Sequence, residues 1–173
     1  RQGYSAWATG ISGTVNTLAD YSPVSGANKL FACAGSNIYD VSSAGAVGAA
    51  VVTGATSDKW KHTNFSTAGG NFLYLVNGSD KPQLYNGSTW TAIDGASTPA
   101  ITGVTTTNLI SVYPVKSRLW FIEKNTLKVW YLPVLSVGGA ASSIDLSSLV
   151  TQGGYLMAMC DWSLDAGYGM DDY

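Results

Sequence analysis

Apolar and aromatic residues along the chain gather in short runs separated by polar turn residues, without helical spacing. Leu30-Phe31-Ala32-Cys33-Ala34 is followed by Gly35-Ser36-Asn37 and then by Ile38-Tyr39-Asp40-Val41. Phe72-Leu73-Tyr74-Leu75-Val76 leads through Asn77-Gly78-Ser79-Asp80-Lys81-Pro82 to Gln83-Leu84-Tyr85. Leu119-Trp120-Phe121-Ile122 leads through Glu123-Lys124-Asn125-Thr126 to Leu127-Lys128-Val129-Trp130-Tyr131. Two apolar runs joined by a turn rich in Gly, Asn or Asp predict a β-hairpin, so hairpins are expected at 30–41, 72–85 and 119–132. Each return strand carries an aliphatic–aromatic couplet: Ile38-Tyr39, Leu84-Tyr85 and Val129-Trp130.

The pattern repeats. The aromatic members of the couplets stand 46 and 45 residues apart. A further strand is expected before each hairpin, at 18–21, 60–65 and 109–113, and 156–162 reads as the next member of that series. Short strands are expected after the hairpins at 49–53, 89–93 and 144–146. Three or four strands recurring every ~40–50 residues are the signature of a β-propeller, whose small sheets need neighbours to cover both faces. The units run approximately 14–57, 58–105, 106–150 and an incomplete 151–173. A propeller closes with ~4–8 sheets, so the chain is expected to be a portion of a longer protein. A β-sandwich with evenly spaced hairpins is the alternative. The Gly/Ala/Ser-rich connections at 42–57 and 94–107 are low in charge and bulk, which suggests packing against a neighbouring chain.

Composition supports the β assignment. Of 173 residues only 20 are charged and a single one, Glu123, is glutamate, so the residues that build helical bundles and coiled coils are scarce. No apolar run reaches the ~18 residues of a membrane helix, and no membrane insertion by this segment is expected. Net charge is −2, which excludes a strongly basic surface for gripping nucleic acid. Cys33 and Cys160 lie far apart in apolar, strand-like runs and are expected to be buried, unpaired thiols.

Candidate chemistry is sparse. His62, the only histidine, lies in a strand-like stretch, and nothing in the sequence sets a nucleophile and an orienting acid beside it. Asp161, Asp165, Asp171 and Asp172 among glycines form the best metal candidate, yet their spacing departs from the calcium-loop pattern. Lys59 and Lys61 flank Trp60, and Lys116 and Arg118 are also two apart; on a strand each pair projects to one face. Solvated edge charges explain them better than nucleic-acid contacts. Asn64-Phe65-Ser66, Asn77-Gly78-Ser79 and Asn86-Gly87-Ser88 match a glycosylation acceptor, but Asn-Gly is first a turn dipeptide. No catalytic, cofactor-binding or metal-binding residue is expected, and no enzyme activity.

Several phrases resemble one family. They begin with Arg1-Gln2-Gly3-Tyr4, Thr9-Gly10 and Val15-Asn16-Thr17-Leu18. The longest is Val76-Asn77-Gly78-Ser79-Asp80-Lys81-Pro82-Gln83-Leu84-Tyr85-Asn86-Gly87-Ser88-Thr89-Trp90. Ser117-Arg118-Leu119-Trp120-Phe121, Trp130-Tyr131-Leu132-Pro133-Val134 and Gly153-Gly154-Tyr155-Leu156-Met157-Ala158-Met159 complete the set. Together they resemble the propeller-like tail nozzle or hub of short-tailed bacteriophages, also called the packaged-DNA stabilisation protein. The resemblance implies a structural virion protein, assembled in the host cytoplasm and located in the phage tail. It implies copies of the chain in a ring, contacts with portal, adaptor and other tail proteins, and non-specific passage of double-stranded DNA. A sugar-binding propeller is the rival reading, because six Trp and ten Tyr offer stacking surfaces. Exposure of Trp60, Trp90 and Trp120 separates the two.

Overall fold

The computed structural model describes residues 3, 5–161, 163–165 and 170–172. The chain is all-β, with one short 3-10 turn at Thr106–Asn108. Its strands in order are β1 (Ala8–Thr9), β2 (Val15–Tyr21), β3 (Lys29–Ala34), β4 (Asn37–Asp40) and β5 (Gly45–Ala46). There follow β6 (Lys61–Thr67), β7 (Gly70–Val76), β8 (Gln83–Tyr85), β9 (Trp90–Ala92) and β10 (Ile101–Thr102). The rest are β11 (Leu109–Val115), β12 (Arg118–Glu123), β13 (Lys128–Tyr131), β14 (Gly139–Ala140), β15 (Ser142–Asp145), β16 (Ser163–Asp165) and β17 (Met170–Asp172).

Three antiparallel sheets dominate. Sheet I is β2-β3-β4, sheet II is β6-β7-β8-β9 and sheet III is β11-β12-β13-β15. All three expected hairpins form, as β3–β4, β7–β8 and β12–β13, each preceded by its own strand. The register is the same in every unit. Ala32 pairs with Leu18 and Tyr39, Leu73 with Asn64 and Tyr85, and Phe121 with Val112 and Trp130. The aliphatic members of the couplets meet the fourth strand: Ile38 bridges Val52, Leu84 pairs with Thr91 and Val129 with Ile144. In sheet I that fourth strand is only the bridge at Val52. Each Gly/Ala/Ser-rich connection contributes one strand of a small parallel pair, β5 with β1 and β10 with β14, a second feature that recurs.

Period-2 alternation sorts the side chains between two apolar layers on either side of sheet II and a third, of Ala32, Ala34, Tyr39 and Val41, on the far face of sheet I. Leu73, Leu75 and Tyr85 of sheet II pack with Ala19, Phe31, Cys33 and Ile38 of sheet I. Tyr74, Val76 and Leu84 point the other way and pack with Leu109, Val112, Leu119 and Phe121 of sheet III. Aromatic rings bridge both layers edge to face: Phe31 on Tyr85 at 5.0 Å, and Tyr74 on Phe121 at 5.5 Å. Such pairs add about 0.5–1.5 kcal/mol each beyond area burial. Sheet II therefore has both faces sealed, with Leu73, Tyr74, Leu75 and Val76 wholly buried.

Gly78 sits where sheets II and III meet. Its φ of 71° is a left-handed conformation, and a Cβ there would collide with Ile110 Cγ2. The missing side chain lets its N–H donate to Leu109 O at 2.9 Å, tying the turn after β7 to the first strand of sheet III.

Two expectations are corrected. Residues 156–161 form no strand, and Trp162 lies outside the described residues. In the other units the first strand is held by the hairpin that follows it. Here β16 and β17 pair with each other, and Leu156 N–H instead donates to Thr126 O. Cys160, on this segment, is consequently exposed rather than buried, whereas Cys33 is buried; both are free thiols. Burial, and less strongly the Asp58 charge, push the Cys33 thiol up to about 12.

Candidate functional site: the cleft along the first strands

β2, β6 and β11 each form one edge of their sheet, and β6 lies beside both of the others. A cleft of about 480 Å³ opens where the three edges converge. Sheet I contributes Asn16, Thr17 and Leu18, sheet II the stretch Lys59-Trp60-Lys61-His62, and sheet III Ser111, Val112 and Tyr113. The first strands of sheets I and III and the entry into β6 thus face one space, although the stretches of sheets I and II overlap in the repeat only at Asn16 and His62. Thr17 and Ser111 each follow a bulge in their strand, which turns a small hydroxyl inward in both.

Asp20 and Asp58 tie sheets I and II together beside this cleft, and Asp80 holds the connection at residues 56–57 between them. Asp58 accepts from Asn16 Nδ2 at 2.9 Å and from Gly35 N–H at 2.7 Å, bonds that hold its carboxyl below the usual range, Asn16 most. Trp60 N–H donates to Thr17 Oγ1 at 3.0 Å. Asp20 lies 3.4 Å from His62 Nε2, and Asn64 Nδ2 donates to Asp20 O at 3.0 Å. The Ser22 hydroxyl, against the effect of burial and with smaller help from His62, keeps the Asp20 carboxyl low. Asp80 accepts from Thr56 N–H and Oγ1 and from Asn77 Nδ2. Burial alone would raise its pKa, but the combined bonds from Asn77, Thr56 and Ser57 lower it. Sequence reasoning passed over Asp20, Asp58 and Asp80. Their only signal is an aspartate at a strand end or in a polar connection, where it caps backbone N–H groups.

Lys59, Lys61 and His62 do share the cleft. Lys116 and Arg118 do not behave as a strand pair. Lys116 lies in the turn after β11 with a φ of 47°, and Ser117 follows with 59°. Arg118 Nη1 donates to Leu132 O at 3.2 Å, and its guanidinium lies 5.3 Å from the Tyr131 ring centre. His62 faces a carboxylate, but among the described residues no hydroxyl or thiol is bonded to it. The arrangement supplies scattered donors without a nucleophile–base pair. Of the acidic stretch, Asp161 is exposed; the side chains of Asp165, Asp171 and Asp172 fall outside the described ones. Among the described residues no three His, Cys, Asp or Glu side chains group as metal ligands.

The acceptor-like asparagines are committed to turns and joints. Asn77 Oδ1 accepts from Ser79 and Asp80 N–H, and Asn86 Oδ1 from Ser88 and Thr89 N–H. Asn64 Oδ1 accepts from Ser22 N–H.

No protein-family model matches the sequence, and no curated protein or solved structure is similar to it.

Proposed function

We propose that this chain is a structural component of a short-tailed bacteriophage tail, a nozzle or hub below the portal and adaptor. In this reading sheets I, II and III are successive blades of a β-propeller. The observation that carries it is the convergence of the three first strands on one cleft, with the sheets stacked face to face in chain order. In a propeller the innermost strands line the axis, so the cleft is a sector of the channel. Copies of the chain form a ring, and double-stranded DNA is retained and later passes without sequence-specific contact. A few lysines in a chain of net charge −2 suit that role, because weak phosphate contacts let DNA slide. The role requires no catalysis.

The sugar-binding alternative gains no support from the three tryptophans that separate the readings. Trp60 is only 4% exposed and lies in the layer between sheets I and II. Trp90 is packed edge to face on Phe31 at 4.9 Å, and Trp120 stacks on Tyr131 at 4.8 Å. The test is to raise antibody against the chain, label intact short-tailed particles and image them. Label at the tail below the portal is expected; particles that contain no trace of the chain would overturn the assignment.

A further inference from the structure

An apolar groove of about 370 Å³ runs along the outer face of sheet I, the face turned away from sheet II. Its walls are Trp7, Ile11, Val15, Leu18, Leu30 and Val41, with Ala8 and Ala32 at its base. Trp7 is 59% and Leu18 56% exposed.

The repeat identifies what this surface is. Leu18 and Ala32 hold the register positions of Val112 and Phe121. Val15 precedes the bulge of β2 as Leu109 precedes that of β11. Val41 N–H donates to Leu30 O as Leu132 N–H donates to Leu119 O. Ala8 pairs with Gly45 as Ile101 pairs with Gly139, and Val47 N–H reaches Thr9 O as Ala141 N–H reaches Thr102 O. The groove is therefore the counterpart of the sheet III surface that sheet II covers with Phe65, Tyr74, Val76 and Leu84. Sheet III's own outer face carries the matching positions. Ile122 and Val129 correspond to Tyr74 and Leu84 but are already buried within the chain, so the accessible part of this face is the half-buried Trp120 and Tyr131 with the 44%-exposed Ile144.

We infer that the groove of sheet I receives the outer face of sheet III from a second copy of this chain, head to tail. The contact continues the II-on-III packing from one chain into the next. It joins unlike surfaces, and because three sheets per copy make six in two copies, within the ~4–8 of a closed propeller, two copies close into a ring through two such contacts. The inference rests on the repeated-blade reading above but not on the tail assignment.

Sedimentation of the 173-residue chain across a range of concentrations tests it, with Leu18→Asp disabling the groove and Ile144→Asp the opposing face. Wild type is expected to form a two-copy ring held by both contacts, and each variant alone to stay monomeric. An equimolar mixture of the two variants is expected to form a one-to-one dimer and stop, since each supplies the surface the other lacks. A monomeric wild type, an Ile144→Asp chain that still pairs with itself, or a mixture that stays monomeric would each overturn the inference. Trp7→Ser replaces Leu18→Asp if the latter loses its circular-dichroism signature of folding. Particle imaging can fail with these results unchanged, so the two proposals fall separately.

Discussion

The outer face of sheet I and the inner face of sheet III occupy equivalent positions in the repeat, yet one is a groove and the other is core. Phe121 and Val112 are buried against sheet II, whereas of their counterparts Leu18 is exposed and Ala32, though buried by its own unit, is too small to fill the groove above it. Identical backbone pairing produced both surfaces, so neighbours, and not strand formation, decide which residues are protected. A small sheet is marginal by itself, and its stability comes from the sheet laid on top of it.

That difference should appear most strongly in truncations. Phe121→Ala is expected to cost about 3–5 kcal/mol, while Leu18→Ala, on the uncovered face of sheet I, stays within about 0.5 kcal/mol for the monomer. Urea unfolding at low concentration measures both, and equal losses would erase the distinction between the two faces. Gly78→Ala should be next, because it drives a methyl into Ile110 and strains a left-handed turn, with a loss of about 1–3 kcal/mol. Its signature is separation of sheet III from sheet II, read as lost amide protection of residue 78, whose N–H donates to Leu109 O.

Acid sharpens a second contrast, between the two joints. The I/II joint relies on Asp20, Asp58 and Asp80, whose carboxyls all lie below their ordinary values. The II/III joint uses Gly78 N–H to Leu109 O and Lys124 Nζ to Gly78 O. A carboxylate with a depressed folded pKa stabilises the fold above its unfolded value of about 3.9 and loses that contribution as pH falls through the folded one. Stability should therefore be level near neutrality and decline below pH ~4. Hydrogen exchange should show β2 loosening before β11; simultaneous loosening would remove the assigned role of the three aspartates.

Tyr74→Phe is a smaller and opposite test. The Tyr74 hydroxyl is buried without a hydrogen-bond partner, so deleting it should be neutral or stabilising by about 1 kcal/mol. A clear loss of stability by thermal unfolding would reveal a partner for that hydroxyl. Thiol labelling carries no stability change at all. Cys160 should react at once, and Cys33, buried with its thiol pushed up to about 12, only after unfolding.

Much of this architecture is legible in the residues. The three hairpins, their leading strands and the fourth-strand positions follow from apolar alternation and from Asn-Gly turns, because strand pairing within a unit is local in sequence. The Lys59, Lys61 and His62 segment was recognisable as polar. Its meeting with Asn16, Thr17, Ser111 and Tyr113 was not, since those residues come together only when three sheets stack. The same reason explains the misplaced strand at 156–161. An apolar run is compatible with a strand, but pairing decides whether one forms, and here Leu156 is bonded to the Thr126 turn.

Sequence alone determined the β class, the repeat length and the division of each couplet into two oppositely facing side chains, because these depend on a period of two and on turn chemistry within about ten residues. Only the tertiary structure decided which couplet face is covered, which aspartates clamp one sheet to another and that Ala32 leaves a groove where Phe121 fills a core. Those outcomes depend on contacts between residues more than forty positions apart, as in the bonds from Asn16 to Asp58 and from Asn64 to Asp20. The local pattern is indifferent to such contacts, and packing settles them.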